Sequence, residues 1–251
     1  MKKVAYITSG KVGIHRFTFN ELVLLKEKGV EFDLCLTQLN DGPCLPKNEW
    51  NYFIANKSNA IIQFLYSLFL NKGVINLFLE ARKKKVIKYF FIALSLYKDI
   101  KSNNITSLHC QMGDDKLYIG YFLKKIMNLP LSVTVHAHEL YQKKVYTDNS
   151  KVRDLYASCD RVITISKFNA KIIHNKFGVE KDKIDVMRLF PDIDYMNYVK
   201  DKTINDTLTS FKMISDLQSE FGELICNRYI ISNCCSAKDI ATVFFLAKGL
   251  I

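Results

Sequence analysis

Short apolar runs rich in β-branched residues recur along residues 1–191, and a segment with helical periodicity separates most of them from the next. Runs of this length between polar turns are typical of buried strands. They cover residues 4–8, 30–37, 105–109, 131–135, 161–165 and 183–187. Their alternation with helices predicts an α/β fold with a doubly wound, Rossmann-like parallel sheet.

The first run leads into a loop with two glycines, Gly10 and Gly13, and then into a helix that we expect to end at Gly29. The glycine spacing does not match Gly-x-Gly-x-x-Gly, and no Gly-Lys-Ser or Gly-Lys-Thr follows, so a dinucleotide site or a P-loop is not indicated. The glycines either bring the backbone close to a ligand or permit a positive φ in a tight turn. The sequence leaves both interpretations open.

Residues 60–101 have helical character with an interruption near residues 71–73. A basic run within them, Arg82, Lys83, Lys84 and Lys85, is followed by aromatic residues. A basic helix flanked by aromatic residues can lie on an anionic membrane surface, which makes this run a candidate membrane contact. The alternative is a packed helix whose charged face is solvated.

The pattern changes after residue 191. Residues 192–209 are polar and aperiodic and predict a linker, whereas residues 210–251 predict a helix, a short strand and a second helix. A unit of this size has little core of its own, so we expect the tail to pack against another surface.

Composition limits the functional classes. The chain has 251 residues, 49% of them hydrophobic, and a net charge of +11, which favours acidic partners without choosing among them. The seven cysteines are odd in number and form no Cys-x-x-Cys pair, which indicates a reducing, cytoplasmic compartment. We expect no signal peptide and no membrane span, because the apolar blocks are too short for either.

The segment LSVTVHAHELY at residues 131–141 ends a strand with His136, His138 and Glu139. Ligands bind beyond the carboxyl ends of strands in open parallel sheets, so these three side chains are candidates for chemistry. Continued strand alternation would place both histidines on one side and Glu139 on the other. A metal would need a third ligand from His109 or Cys110, and we expect none.

Two longer segments resemble a known family. They are LHCQMGDDKLYIGYFLKKIMNLPLSVTVHAHELY and SCDRVITISKFNAKIIHNKFGVEKDKIDVMRLFPDID. Their order resembles the N-terminal, acceptor-side domain of glycosyltransferase family 4, in the branch that builds exopolysaccharide and lipopolysaccharide. The resemblance implies one half of a GT-B fold, with His136 as a catalytic cleft residue near the transferred sugar. It also implies substrate-binding roles for Ser166, where a strand turns into a cleft-side helix, and for the loop of Gly10 and Gly13.

The resemblance stops after the sixth strand. Family members continue with Asn-Gly-Val-Asp and a second, donor-binding domain, whereas this chain reads Leu189-Phe190-Pro191-Asp192. We therefore expect a truncated enzyme whose donor half is missing and which is inactive as this isolated chain. The tail segment FGELICNRYIISNCCSAKDIATVFFLAKGL is weakly similar to a stretch of phosphoenolpyruvate carboxylase, and we infer no carboxylase activity from it.

The resemblance implies a retaining glycosyltransferase of polysaccharide biosynthesis. Its complete form would transfer a sugar from a nucleotide-sugar to a lipid-linked or polysaccharide acceptor. The nucleotide-sugar would be a donor substrate, and no cofactor and no nucleic-acid partner is expected. The protein would be cytoplasmic and could sit peripherally at the inner face of the plasma membrane. The alternative is a non-catalytic module that binds an acceptor, a partner chain or a membrane.

Overall fold

The structure is a computed structural model that describes residues 2–70, 72–114, 116–141 and 149–187. The chain divides into two units, Met1–Arg188 and Leu189–Ile251, and all the described residues lie in the first. The predicted linker at residues 192–209 and the tail at residues 210–251 lie outside the described residues.

Among the described residues, seven parallel strands form one sheet, in the order β3-β2-β1-β4-β5-β6-β7. The prediction of a parallel α/β sheet is therefore confirmed. The strands are β1 (Lys3–Gly10), β2 (Glu31–Leu39), β3 (Tyr52–Ile54), β4 (Ser107–Gln111), β5 (Leu131–Val135), β6 (Arg161–Thr164) and β7 (Ile184–Val186).

In the part of the chain that the structure describes, eight α-helices join the strands. Three of them, α2 to α4, make the long connection between β3 and β4. The helices are α1 (Arg16–Glu27), α2 (Lys57–Leu70), α3 (Lys72–Lys83), α4 (Ile87–Ser102), α5 (Leu117–Met127), α6 (Ala137–Tyr141), α7 (Asn149–Ala157) and α8 (Lys167–Phe177). Within the described residues, no helix combines the length and the apolar character needed to cross a membrane.

Successive residues of β1 point into two separate apolar clusters, as strand geometry requires. Ala5 and Ile7 belong to the larger cluster, which includes Phe90 of α4 and Phe122 of α5. Tyr6 belongs to a second cluster with α1 and β2. Helices therefore cover both faces of the sheet, as in a doubly wound fold.

The strand order reverses at β1 and β4. From β1 the chain moves outward to β2 and β3, then returns across the sheet to β4 and moves outward the other way. At such a reversal the loops after the two central strands diverge and leave a crevice at their carboxyl ends. The candidate site must therefore be sought beyond Gly10 and Gln111, the last residues of β1 and β4.

Two short elements were missed by the sequence prediction. Strand β3 is a three-residue edge strand inside a segment with Asp-Gly-Pro turn markers, and it pairs only with β2 among the described residues. Helix α6 begins directly after β5, where the sequence pattern of His136 and His138 suggested continued strand alternation. Both elements are too short to show a hydrophobic period of their own.

The basic run contains a helix end that the prediction also missed. Lys85 has a φ of 61°, and the N–H of Val86 donates to the carbonyl of Ala81 while the N–H of Lys85 donates to that of Arg82. These two bonds form a Schellman motif, which ends α3 before α4 begins at Ile87. The left-handed position usually belongs to glycine, because a Cβ there is sterically unfavourable.

Replacing that lysine tests the motif. The left-handed conformation costs a residue with a Cβ about 1–2 kcal/mol, which a glycine would avoid. The greater freedom of glycine in the unfolded chain offsets about 0.4–1 kcal/mol of this stabilisation. We expect Lys85→Gly to raise the free energy of unfolding by about 0.5–1 kcal/mol in urea denaturation. Lys98→Gly, at an exposed interior position of α4, should lower it by about 1 kcal/mol. Destabilisation by both variants would contradict the assignment.

Candidate functional site

Gln111 lies at the centre of the crevice and is fully buried at the end of β4. Its Oε1 accepts a hydrogen bond from the hydroxyl of Tyr6 at 2.8 Å. Its Nε2 donates to Oε2 of Glu21 at 3.2 Å and lies 3.5 Å from Nε2 of His136. The amide thus joins side chains from β1, α1 and the end of β5.

His109 extends this network along the sheet. Its Nε2 lies 3.4 Å from Oε1 of Gln111 and 3.3 Å from Oγ1 of Thr134, and its Nδ1 lies 2.9 Å from Oγ of Ser132. Burial lowers the pKa of His109 to about 4, against an opposing effect of the bond to Gln111. The ring is therefore neutral at physiological pH.

His136 follows the last residue of β5 and is 8% exposed. Its ring packs against Phe17 with centroids 4.9 Å apart, and Phe17 stacks on the exposed ring of His15. Burial lowers the pKa of His136 to about 4, and the nearby His15 lowers it further. A neutral imidazole at a strand end can donate one hydrogen bond and accept another.

Glu21 approaches the network from α1 and is half-buried. Burial raises the pKa of Glu21, while the polar contacts of its carboxylate with Tyr6 and Gln111 lower that pKa. The Glu21 carboxylate in turn adds to the effect of burial in raising the pKa of Tyr6 well above its ordinary value. Tyr6 therefore remains a neutral phenol.

Glu139 does not lie where strand alternation placed it, because β5 ends at Val135 and α6 begins at Ala137. Its Oε2 accepts the backbone N–H of His136 at 3.2 Å, which is the reach-back bond of a capping box. Its Oε1 accepts the N–H of Gly113 at 3.0 Å. Glu139 therefore ties the loop after β4 to the end of β5.

That geometry corrects the prediction that His136 and His138 share one strand face. His138 belongs to α6, and its side chain lies outside what the structure describes. Burial raises the pKa of Glu139, although its backbone hydrogen-bond donors lower it. The carboxylate is occupied by backbone N–H groups, which fits a structural role as well as a substrate-binding one.

The loop after β4 is tightly packed. A Cβ at Gly113 would lie 2.4 Å from the hydroxyl of Tyr156 and 2.9 Å from Cγ2 of Val135. The Tyr156 hydroxyl donates to the carbonyl of Gly113 at 3.0 Å, and Met112 beside it has a φ of 95°. Only glycine fits position 113, and Met112 is held in a strained backbone conformation at the edge of the crevice.

Gly10 at the end of β1 packs against the end of β2, and Gly13 packs against the loop that follows β2. A Cβ at Gly10 would lie 2.9 Å from Leu39 Cδ1, and one at Gly13, where φ is 66°, would lie 2.7 Å from the carbonyl oxygen of Cys44. Gly42 approaches even closer, because a Cβ there would lie 2.3 Å from the carbonyl oxygen of Val12. Both predicted glycines are thus required by backbone packing, whatever their role toward a substrate.

Ser166 lies at the end of β6 and caps α8, as the sequence predicted. Its Oγ accepts the N–H of Asn169 at 3.1 Å, and the helix ends at Gly178 in the left-handed conformation. The Oδ1 of Asn169 accepts the hydroxyl of Tyr141 at 2.7 Å, which connects α8 to α6. Ser166 therefore lies at the same sheet edge as His136.

The basic run is divided in two by the helix end. Lys84 turns inward, 2.7 Å from Glu80 and 5.2 Å from the ring of Tyr121. Arg82, Lys83 and Lys85 are exposed. Only these three remain candidates for an outside contact. In the part of the chain that the structure describes, no group of three histidine, cysteine or acidic side chains could hold a metal ion.

Sequence reasoning placed His136 at the crevice but missed Tyr6, Glu21 and Gln111. Gln111 was missed because β4 was expected to end at His109, two residues too early. The available signal was a polar residue directly after a buried strand, which is where ligand-facing side chains are found in parallel sheets.

Comparison with known proteins identifies the fold and the family. The model of Glycosyltransferase Family 4 matches residues 13–195. The chain belongs to glycosyltransferase family 4. The matched residues include Gly13, His136, His138, Glu139 and Ser166, whereas Gly10 lies just before them.

Solved structures share the fold. The chain is 12% identical to Anabaena Alr3699/HepE crystallised with UDP-glucose, and the TM-score is 0.50. A crystal structure of the same protein with UDP and glucose gives 14% identity and a TM-score of 0.50. Each match covers 88% of this chain and 50% of that protein, so this chain spans half the length of Alr3699/HepE. At this identity the likeness concerns the fold, one Rossmann-like half of a GT-B glycosyltransferase.

The tail has a different similarity. The model of phosphoenolpyruvate carboxylase matches residues 188–250. The chain is 49% identical over 49 residues to phosphoenolpyruvate carboxylase of Prochlorococcus marinus strain AS9601, which is 20% of this chain and 5% of that enzyme. So short a share of the enzyme indicates a local similarity only.

The buried histidines should make stability depend on pH. The pKa values of His109 and His136 fall from about 6.5 to about 4 on folding, so the unfolded chain binds more protons between these values. The contribution of the two histidines to the free energy of unfolding should therefore be fully present above about pH 6.5. It should fall as the pH drops toward 4, by on the order of 3 kcal/mol per histidine. Glu21 and Glu139 oppose this loss, because burial raises the pKa of each.

Urea denaturation between pH 4 and 7 measures the effect. The slope of the unfolding free energy against pH reports how many more protons the unfolded chain binds than the folded chain. His109→Gln should reduce this difference by up to one proton near pH 5. Lys171→Gln, an exposed change on α8, should keep the wild-type slope. Equal slopes for wild type and His109→Gln would show that His109 is not buried in its neutral form.

Proposed function

We propose that residues 1–191 form the acceptor-side half of a retaining glycosyltransferase, with His136 as the cleft residue near the transferred sugar. The observation that carries the proposal is the placement of His136, Gln111 and Glu21 at the strand-order reversal of a family 4 domain. Such a reversal is where open α/β sheets bind their ligands.

The side chains suit a polyhydroxylated or phosphorylated ligand. A neutral imidazole can hydrogen-bond a hydroxyl or a phosphate oxygen without the desolvation penalty of a buried charge. Phe17 and His15 provide an aromatic edge beside it. Acceptor binding by the loop of Gly10 and Gly13, by Glu139 and by Ser166 is part of the proposal.

The proposed reaction transfers a sugar from a nucleotide-sugar to a lipid-linked or polysaccharide acceptor in polysaccharide biosynthesis. UDP-glucose is a ligand of the structurally similar Alr3699/HepE, which supports a nucleotide-sugar as donor substrate here. The proposal includes no further cofactor. In this chemistry the acceptor hydroxyl attacks the anomeric carbon while the nucleotide diphosphate leaves. Positive groups and helix N-termini stabilise the negative charge of the leaving nucleotide diphosphate.

Acceptor binding tests the proposal directly. We expect a water-soluble lipid-diphosphate analogue to shift backbone amide resonances at residues 10–15, 111–114 and 136–141. His136→Ala should weaken binding about tenfold, the value of one hydrogen bond to a phosphate or hydroxyl. His174→Ala is the matched control, because its Nδ1 bonds the carbonyl of Val179 beyond the far end of α8. Shifts at another surface, or unchanged binding by His136→Ala, would contradict the proposed site.

A second function is supported by an apolar surface on the helices between β3 and β4. The exposed residues of α2 include Ile61, Ile62, Leu65 and Tyr66, each more than half exposed. They are spaced i, i+1, i+4 and i+5, so they lie on one helix face. The opposite side of α2 packs inward through Phe64, which contacts Phe78 and Phe90.

Helix α3 combines apolar and basic residues on one exposed face. Ile75 and Leu79 are exposed, and Arg82 and Lys83 follow at positions i+7 and i+8 from Ile75. Apolar residues beside basic ones fit the interface of an anionic membrane, where the apolar side chains insert and the charges meet lipid headgroups. We propose that this helical layer holds the protein peripherally at an anionic membrane surface, at the inner face of the plasma membrane.

Liposome co-sedimentation separates the two contributions. Arg82→Ala with Lys83→Ala should weaken binding to anionic vesicles about fivefold per charge at low salt, and added salt should reduce the difference. Leu65→Ser with Leu79→Ser should weaken binding at low and high salt alike. Lys171→Ala with Lys181→Ala, two exposed lysines elsewhere, should bind as wild type. If none of these changes affects binding, the membrane contact is contradicted and the charged face of α3 is merely solvated.

The alternative function is a module that binds an acceptor, a partner chain or a membrane without catalysis. The two functions differ in the need for a second, donor-binding domain, which the resemblance to the family implies for the enzyme. The coding sequence downstream of residue 251 decides between them. An open frame that continues into a donor-binding domain supports the enzyme, and an early stop supports the binding module.

A further inference from the structure

A hydrogen-bonded path leads from α1 to the proposed cleft residue. It runs from Oε2 of Glu21 to Nε2 of Gln111 at 3.2 Å, and from there to Nε2 of His136 at 3.5 Å. Gln111 is fully buried and His136 is 8% exposed, whereas Glu21 is half-buried and retains contact with water. The path therefore connects a carboxylate at the border of the crevice to a neutral imidazole inside it.

The carboxylate determines which way the amide of Gln111 points. An ionised carboxylate can only accept hydrogen bonds, so the amide nitrogen must face Glu21. The reverse orientation would place the amide oxygen 3.2 Å from a carboxylate oxygen, where the two repel each other. The other neighbours do not impose this choice, because the hydroxyl of Tyr6 and the ring of His109 can each either donate or accept.

The amide orientation in turn determines the tautomer of His136. The nitrogen of Gln111 carries two hydrogens, one directed to Glu21 and the other facing Nε2 of His136. That ring nitrogen must then accept, and a neutral imidazole whose Nε2 accepts carries its proton on Nδ1. The low pKa of His136, about 4, keeps the ring neutral in physiological conditions.

We propose that Glu21 is a positioning residue whose carboxylate, acting through the amide of Gln111, holds His136 in the tautomer with the proton on Nδ1. Removal of the negative charge lets the amide rotate, and its oxygen can then accept a hydrogen bond from Nε2–H of the other His136 tautomer. The Nδ1 atom loses its proton in that state. Where the proposed glycosyltransferase function holds, on which this step rests, Nδ1–H is the donor that His136 offers to a sugar hydroxyl or phosphate oxygen.

Long-range proton–nitrogen correlation spectra of the ¹⁵N-labelled 251-residue chain at neutral pH report the tautomer of each ring. The chain has five histidines, and a spectrum of His136→Gln assigns the resonances of His136. In wild type, Nδ1 should have the shift of a protonated ring nitrogen and Nε2 that of an unprotonated one. In Glu21→Gln the two shifts should move toward each other as both tautomers become populated.

Two further variants complete the test. Glu27→Gln makes the same charge change on the exposed side of α1 and should leave the spectrum of His136 as in wild type. Gln111→Met removes the intermediate amide and should mix the tautomers as Glu21→Gln does. An Nε2–H tautomer in wild type, or unchanged shifts in Glu21→Gln or Gln111→Met, would overturn the proposal. The spectra need no ligand, so they separate this proposal from failure of the glycosyltransferase function.

Discussion

The arrangement of the crevice depends on the need of one buried amide for hydrogen-bond partners. Gln111 is fully buried at a strand end, and a buried polar atom left without a partner costs about 1–3 kcal/mol. Its oxygen and nitrogen are satisfied by Tyr6 of β1, Glu21 of α1, His109 of β4 and His136, which directly follows β5. Displacement of any of these elements would break a bond to the amide, so they are held in register with one another.

The fold could be predicted because it follows from patterns that repeat. Short stretches rich in apolar residues, bounded by polar turns, mark six of the seven strands, and helical periodicity separates most of them, so these six were visible in the sequence. The exceptions are short or unusual. Strand β3 has three residues, α6 has five, and the end of α3 rests on a lysine where the common C-terminal signal is glycine.

The candidate site was only partly predictable. His136 could be found because a strand that ends in polar residues delivers them to the carboxyl edge of a parallel sheet. Glu21 and Tyr6 could not, because their relation to His136 exists only once distant segments meet at the strand reversal. The bonds of Glu139 depend on the turn into α6, where the alternation rule for strands ceases to apply.

The contact between the loops after β1 and β2 limits how this protein can change over evolutionary time. A Cβ added at Gly42 would lie 2.3 Å from the carbonyl oxygen of Val12, and one added at Gly13 would lie 2.7 Å from that of Cys44, so there is no room between the two backbones. An inserted residue in either loop would require a matching adjustment in the other. Diversification of this border of the crevice should therefore proceed by exchange of outward side chains, such as that of Val12, which is 67% exposed. Changes in loop length should be found instead in loops whose backbone is not in such close contact with another segment.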